Sequence, residues 1–180
     1  MIALTINGLK FGDSSKNVAG WVVDLKNRLE PFGGGFAIPP DSGLKTALAR
    51  LVSALFASLT EPVIYISEWG VWESSQNIDI FDSYRKAKGE AMSLSEKPVH
   101  CFISASEESF IGILCLVLYF VWDAEVFDRE GKCIVSISHD EWFEIRTNNE
   151  AVRQICDQAA EEGRFRRLVN GPGLDSEARD

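Results

Sequence analysis

The longest apolar segment of this chain runs from Phe110 to Trp122, and it limits the folds that the chain can adopt. Its thirteen residues include no charged side chain. A helix needs roughly 20 apolar residues to cross a bilayer, so this segment is too short to span one. A helix that is apolar on all sides is normally buried inside a protein. The segment therefore predicts a helix in the core of a globular domain.

The size and composition of the chain also indicate one compact unit. Its 180 residues fit a single domain of ordinary length. The hydrophobic fraction of 46% is too high for a disordered chain. The first residues lack the basic and apolar regions of a secretory signal, so we expect a cytoplasmic protein. The four cysteines lie in apolar segments without a CxxC pair, which predicts reduced thiols. The two histidines and four cysteines also lack the paired ligand spacing that makes a zinc site recognisable.

Hydrophobic periodicity and chain-breaking residues predict the secondary structure. Helices are expected through the apolar segment and at residues 13–29, 42–59, 77–88 and 148–163. The helix of the apolar segment begins with Ser104 and Glu107 at the spacing of a capping box. Asn148 or Asn149 is expected to cap the last helix, which ends at Gly163.

Short runs of β-branched and aromatic residues predict the strands. They fall at residues 63–66, 99–103, 122–128, 132–138 and 142–145. The third and fourth strands form a hairpin with Cys133, Val135 and Ile137 on one face. The fifth strand is expected at a sheet edge. The three glycines at residues 33–35 are expected to form a flexible connecting loop.

The order of these elements predicts an α+β fold in a single domain, with a mainly antiparallel or mixed sheet and helices packed on one of its faces. The domain is expected to cover residues 1–162, with a helical part at 1–60 and the sheet at 61–162. Residues 163–180 are rich in charged and chain-breaking residues, and we expect them to be a flexible tail.

The acidic charge is concentrated in the part that contains the sheet. Residues 61–162 hold twenty acidic and eight basic side chains, and the whole chain has a net charge of −9. This balance argues against a nucleic-acid partner, because proteins that bind nucleic acids usually carry a basic face. It favours a protein partner with a basic surface. A well-solvated acidic surface without a partner is the simpler alternative.

The segment Glu68-Trp69-Gly70-Val71-Trp72-Glu73 follows a predicted strand and is the first candidate site. Loops at strand ends often carry functional groups on a rigid base. Trp69 and Trp72 suit a partner anchor, since tryptophan is common among binding hot spots. In the alternative interpretation both rings pack over the sheet, and Glu68 and Glu73 face solvent.

The segment Ser138-His139-Asp140-Glu141-Trp142 is the second candidate site. A histidine beside carboxylates is typical of a general base or a metal ligand. Neighbouring strand residues point to opposite faces, so His139 and Asp140 can converge only at a turn. In a turn, Asp140 is expected to cap a backbone amide instead.

Two other patterns carry less information. Strand alternation separates the side chains of His100 and Cys101, which argues against a thiol nucleophile with an adjacent base. A carboxylate site for a metal ion or for glycoside hydrolysis depends on pairing in space, which a sequence does not specify. The acidic candidates for such a site are Glu68, Glu73, Asp79, Asp82 and Asp123.

Three short motifs occur in a fixed order: EWGVW at residues 68–72, WD at 122–123 and SHDE at 138–141. In carrying them the chain resembles a set of short bacterial proteins, over about residues 63–145. The resemblance implies a bacterial origin and a single domain, and it assigns no catalytic residue. In size and acidity the chain is also similar in character to the immunity proteins of toxin systems.

We therefore expect a binding protein rather than an enzyme, without a cofactor or a bound metal, and more specifically an immunity-like inhibitor of a basic toxin or nuclease. One alternative is a small hydrolase or metal-dependent enzyme that uses His139 with Asp140 or Glu141. Another is a structural subunit, and the sequence does not specify the oligomeric state. The residues expected to bind the partner are Glu68, Trp69, Trp72, Glu73, His139, Asp140, Glu141 and Trp142.

Overall fold

The computed structural model describes residues 2–4, 16–59, 61–68, 78–87, 100–103 and 106–168. The strands in these residues are β1 (Ile2–Leu4), β2 (Pro31–Ala37), β3 (Pro62–Glu68), β4 (His100–Ile103), β5 (Asp123–Asp128), β6 (Cys133–Ser138), β7 (Trp142–Thr147) and β8 (Arg166–Arg167). The helices are α1 (Lys16–Arg28), α2 (Ser42–Phe56), α3 (Ile78–Ala87), α4 (Glu107–Phe120) and α5 (Glu150–Glu161).

The strands form one sheet in the order β1-β4-β3-β5-β6-β7-β2-β8. Neighbouring strands are antiparallel throughout the described part of the chain. The prediction of a single α+β domain is confirmed, and so is the predicted hairpin, which β5 and β6 form. The sheet thereby brings the ends of β3, β5 and β6 next to one another.

Helices cover both faces of the sheet, whereas the sequence predicted one covered face. The larger core contains α2, α4 and α5, and it includes Cys133, Val135 and Ile137 of β6 as predicted. The smaller core lies on the opposite face, where α1 packs against residues that include Phe127 and Ile134. The central strands are apolar on both faces, so each face needs a cover that excludes water.

The apolar segment forms α4, as predicted, and five of its side chains are buried in the larger core. Its cap differs from the prediction. The hydroxyl of Ser106, rather than Ser104, accepts a hydrogen bond of 3.2 Å from the backbone N–H of Ser109. Ser104 lies outside the described residues. Among the described helices, none is long and apolar enough to cross a membrane.

The glycine run forms part of strand β2, so the prediction of a connecting loop is wrong. Gly33 and Gly34 have φ angles of +66° and +86°, which glycine adopts without strain, and they lie at a bulge in the pairing with β7. Phe32 and Phe36 on either side are buried and hold the strand in the core. Because β2 pairs with β7, the prediction that β7 is an edge strand is also wrong.

The sheet continues past the boundary at which the sequence predicted a tail. Asn149 caps α5, one of the two predicted caps, and the chain turns at Gly163. Phe165 then packs against Phe36 with 4.8 Å between the ring centroids. Strand β8 follows and pairs with β2. Residues 169–180 of the predicted tail lie outside the described residues.

All four cysteines are free thiols, as predicted. Cys101, Cys133 and Cys156 are buried, and Cys115 is half-buried. Burial raises the pKa of the Cys101 thiol to about 12. Burial therefore disfavours the thiolate form of Cys101, which is the form that acts as a nucleophile. This agrees with the argument from strand alternation against that role.

Candidate functional site

Residues from all three sequence motifs meet at one end of the sheet. Glu68 is the last residue of β3 and pairs in register with Asp123, the first residue of β5. His139 directly follows β6, the next strand in the sheet. Adjacent antiparallel strands lie about 4.8 Å apart, so side chains at these three ends come within reach of one another. We call Glu68, Asp123, His139 and Asp140 the acidic end of the sheet.

Asp123 binds His139 through both carboxylate oxygens. Its Oδ1 accepts a hydrogen bond of 2.7 Å from the backbone N–H of His139. Its Oδ2 lies 2.8 Å from Nδ1 of the imidazole. Asp123 is half-buried, while 39% of the His139 side chain is exposed. The carboxylate therefore fixes both the start of the turn and the orientation of the ring.

The turn between β6 and β7 gives the second candidate segment its shape. The N–H of Glu141 donates to the carbonyl of Ser138 at 3.1 Å, and Glu141 has a positive φ of 61°. The prediction that Asp140 caps a backbone amide is wrong. The Ser138 hydroxyl accepts the N–H of Asp140, and the Asp123 carboxylate accepts the N–H of His139. The Asp140 carboxylate is exposed instead and lies 3.6 Å from Nε2 of His139.

The remaining predicted binding residues have different positions. Glu141 is exposed in the turn, and Trp142 is half-buried at the start of β7. Of the carboxylates considered for a metal or glycosidase site, Asp79 is exposed and Asp82 is half-buried on α3. Trp69, Trp72 and Glu73 lie outside the described residues, although Glu68 leads directly into their segment.

The acidic end combines negative charge with potential metal ligands. Glu68, Asp123 and His139 each offer one donor atom, and these three atoms lie within 4.8 Å of one another. The hydrogen bond that the His139 ring donates to Asp123 raises the pKa of His139, and the charges of Asp123, Asp140 and Glu68 act in the same direction. The arrangement can therefore attract a cation or a basic side chain.

We expect the substitution Asp123→Asn to lower the pKa of His139 towards its ordinary value of about 6.5. The neutral amide keeps an acceptor for the backbone N–H but removes the charge that favours the imidazolium. Because the folded state raises this pKa, the ion pair stabilises the fold fully below about pH 6.5 and this contribution is lost as the pH rises through the folded-state pKa.

An NMR titration of the two histidine rings measures this effect, with His100 as the internal reference. The substitution Asp140→Asn is expected to lower the pKa of His139 by a smaller amount, because its carboxylate lies 3.6 Å away and is exposed. An unchanged His139 pKa in Asp123→Asn would contradict the observed pairing.

Sequence reasoning identified most of these residues but not their relation. Asp123 appeared only among five dispersed carboxylates, although it holds the imidazole. The adjacent Asp140 and Glu141 were the partners proposed for His139 in an enzyme. Asp123 lies at the start of one arm of the predicted hairpin, and this position was the signal in the sequence that could have placed it near His139.

No family model, curated protein or solved structure matches this chain.

Proposed function

We propose that this chain is a non-enzymatic binding protein, an immunity-like inhibitor that uses the acidic end of the sheet to cover a basic surface of a bacterial toxin or nuclease. The observation that carries the proposal is the convergence of Glu68, Asp123 and Asp140 around one imidazole. Glu68 precedes Asp123 by 55 residues and Asp140 by 72 residues, yet the order of the strands brings all three carboxylates to one end of the sheet.

The charge of the chain supports a basic partner. Residues 61–162 contain twelve more acidic than basic side chains, and the acidic end belongs to this part. Clustered charge of one sign accelerates encounter with an oppositely charged partner and disfavours partners of the same sign. The exposed Glu141 extends the acidic end along the turn. Lysine and arginine side chains of the partner are the groups that this surface would bind.

The rigidity of the acidic end supports binding with little loss of conformational entropy. Strand pairing fixes the backbone of Glu68 and Asp123, and hydrogen bonds fix the turn that carries His139. A preorganised surface has less freedom to lose when a partner binds. Trp142 at the start of β7 provides a half-buried aromatic ring beside the turn. Aromatic residues are enriched in protein interfaces.

We expect the double charge reversal Glu68→Lys and Asp140→Lys to slow association with the partner at least about tenfold at low salt. The partner is first isolated from a lysate of the native host with the tagged protein and identified by mass spectrometry. Association rates are then measured by surface plasmon resonance at low and high salt. An inhibitor must also reduce the activity of the captured partner at equimolar ratio.

The matched control reverses Glu61 and Glu130, which are exposed at the opposite end of the sheet. The six residues of β5 place the two ends roughly 20 Å apart, beyond the screening length of about 10 Å at ordinary salt. The control should change the rate by less than about twofold. Equal effects of both reversals would mean that net charge alone drives binding, which would contradict a role for the acidic end.

A hydrolase that uses His139 is the second candidate function. The observation that favours it is the orientation of the imidazole by Asp123, an arrangement that general bases use. The relevant partner is then Asp123 rather than the Asp140 or Glu141 suggested by the sequence. Under this alternative, His139→Ala abolishes a hydrolytic activity found in a substrate screen. Under the binding proposal, the unmodified chain shows no hydrolytic activity in the same screen and still inhibits the captured partner.

A further inference from the structure

The acidic end of the sheet contains a ligand set of mixed chemistry. We propose that Glu68, Asp123 and His139 bind a divalent first-row transition-metal ion of the Zn²⁺ class. This inference goes beyond the proposed partner binding and does not depend on it. It rests on the spacing of three donor atoms, on their chemistry and on the groups that orient them.

The spacing of the three donor atoms is close to that of one coordination sphere. Nδ1 of His139 and Oδ2 of Asp123 form a hydrogen bond of 2.8 Å, and a metal ion bound to both atoms would replace its proton, which is released to solvent. The donor atoms of Glu68, Asp123 and His139 all lie within 4.8 Å of one another. Zinc bonds to nitrogen and oxygen of about 2.0–2.2 Å keep any two ligand atoms within roughly 4.4 Å of each other. Glu68 is exposed at the end of its strand, so rotation of its side chain can close the remaining few tenths of an ångström.

The donor chemistry selects the class of metal. Imidazole nitrogen suits Zn²⁺ and neighbouring transition metals, whereas Ca²⁺ and Mg²⁺ prefer sites made of oxygen alone. The two carboxylates balance the charge of a divalent ion. Three protein ligands at this end of the sheet also leave positions for water, as in zinc sites that are open to solvent.

Groups around the ligands hold them in place. Oδ1 of Asp123 accepts the backbone N–H of His139, which leaves Oδ2 directed at the ring. The hydroxyl of Ser67 donates to the backbone carbonyl of Asp123 at 3.3 Å. The Asp140 carboxylate faces Nε2, the ring nitrogen that would not bind the metal. A carboxylate at this second nitrogen is a common feature of metal-binding histidines.

Isothermal titration of the full chain, stripped with EDTA, tests the proposal with Zn²⁺ and with Co²⁺ alone. We expect one ion per chain. Each of His139→Gln, Asp123→Asn and Glu68→Gln should weaken binding by more than about 100-fold, the upper end of the loss caused by removing an outer-sphere group. Asp140→Asn should weaken it by about tenfold. Glu130→Gln removes an exposed carboxylate at the other end of the sheet and should leave binding unchanged.

Circular dichroism of each variant tests whether it is folded. Glu68→Gln alters only an exposed side chain at a strand end, so this variant is expected to fold normally. The Co²⁺ absorption spectrum distinguishes this site from the free cysteines, because thiolate ligands add intense near-ultraviolet bands. The proposal is overturned by the absence of binding at millimolar metal, by a thiolate spectrum, or by binding that the three ligand variants leave unchanged.

The experiment separates this inference from the proposed function. Metal titration requires no partner protein, and the partner assay can be repeated in EDTA. Binding of the partner in EDTA together with failure of the metal titration would retain the proposed function and remove the metal site. A successful metal titration together with no binding of a partner would retain the metal site and remove the proposed function.

Discussion

Replacing Phe36 with alanine is expected to lower the free energy of unfolding by about 3–5 kcal/mol. The Phe36 side chain is fully buried in the glycine-containing strand β2. Its ring lies 5.4 Å from that of Phe143 and 4.8 Å from that of Phe165, measured between centroids. The substitution therefore leaves a cavity where β2, β7 and the segment before β8 meet. Urea denaturation followed by far-ultraviolet circular dichroism measures the change.

The control is Val23→Ala on α1, where 59% of the valine is exposed. Substitutions of exposed residues usually change stability by no more than about 0.5 kcal/mol. A loss of less than about 1 kcal/mol in the free energy of unfolding of Phe36→Ala would contradict the insertion of β2 into the core. Removing the ring of a buried phenylalanine destabilises a protein by more than this.

The second large effect is expected at Asp128, a fully buried carboxylate at the end of β5. Its two oxygens accept hydrogen bonds from the backbone N–H groups of Glu130, Lys132 and Cys133, at 2.8–3.1 Å. Asp128→Ala removes all three acceptors at once. Hydrogen bonds to a charged group contribute about 1.5–3 kcal/mol each, so we expect a loss of at least about 3 kcal/mol in the free energy of unfolding.

The variant Asp128→Asn separates the geometry of this turn from its charge. The amide oxygen still accepts from Lys132 and Cys133, whereas the amide nitrogen cannot accept from Glu130. We therefore expect roughly half the loss seen with alanine. Urea denaturation of both variants measures the two values, with the exposed Asp157→Ala as the control. Equal stability of the alanine variant and the parent protein would contradict a role for Asp128 in closing the hairpin.

Local patterns predicted most helices and strands because each pattern depends on neighbouring residues. The apolar stripe of α2 and the hairpin turn before β6 are examples. Strand β2 could not be predicted in this way, since glycine has a low intrinsic preference for strands. Its position depends on the burial of Phe32 and Phe36 against distant residues. Because the sequence did not predict β2, it left β7 without a second neighbour, and β7 was therefore expected at a sheet edge.

The sequence predicted the residues of the candidate site as two separate segments. The motifs at Glu68 and at His139 are separate candidates in the sequence, because 70 residues lie between these two positions. Their contact depends on the order β3-β5-β6, and the sequence does not state which strands are neighbours. The role of Asp123 follows from that order too, since its carboxylate reaches His139 only when β5 lies beside β6.

The position of β2 has a consequence for how the chain folds. Phe36 pairs with Phe143, so this strand leaves the ribosome more than 100 residues before its partner. Strand pairings between residues so far apart in sequence slow folding, because the entropy cost of closing a large loop comes before any stabilising contact forms. During that interval the strand is exposed to other unfinished chains. Glycines lower the tendency of an unpaired segment to form intermolecular β-structure. We therefore expect the glycine run to protect the nascent chain from aggregation until β7 is synthesised.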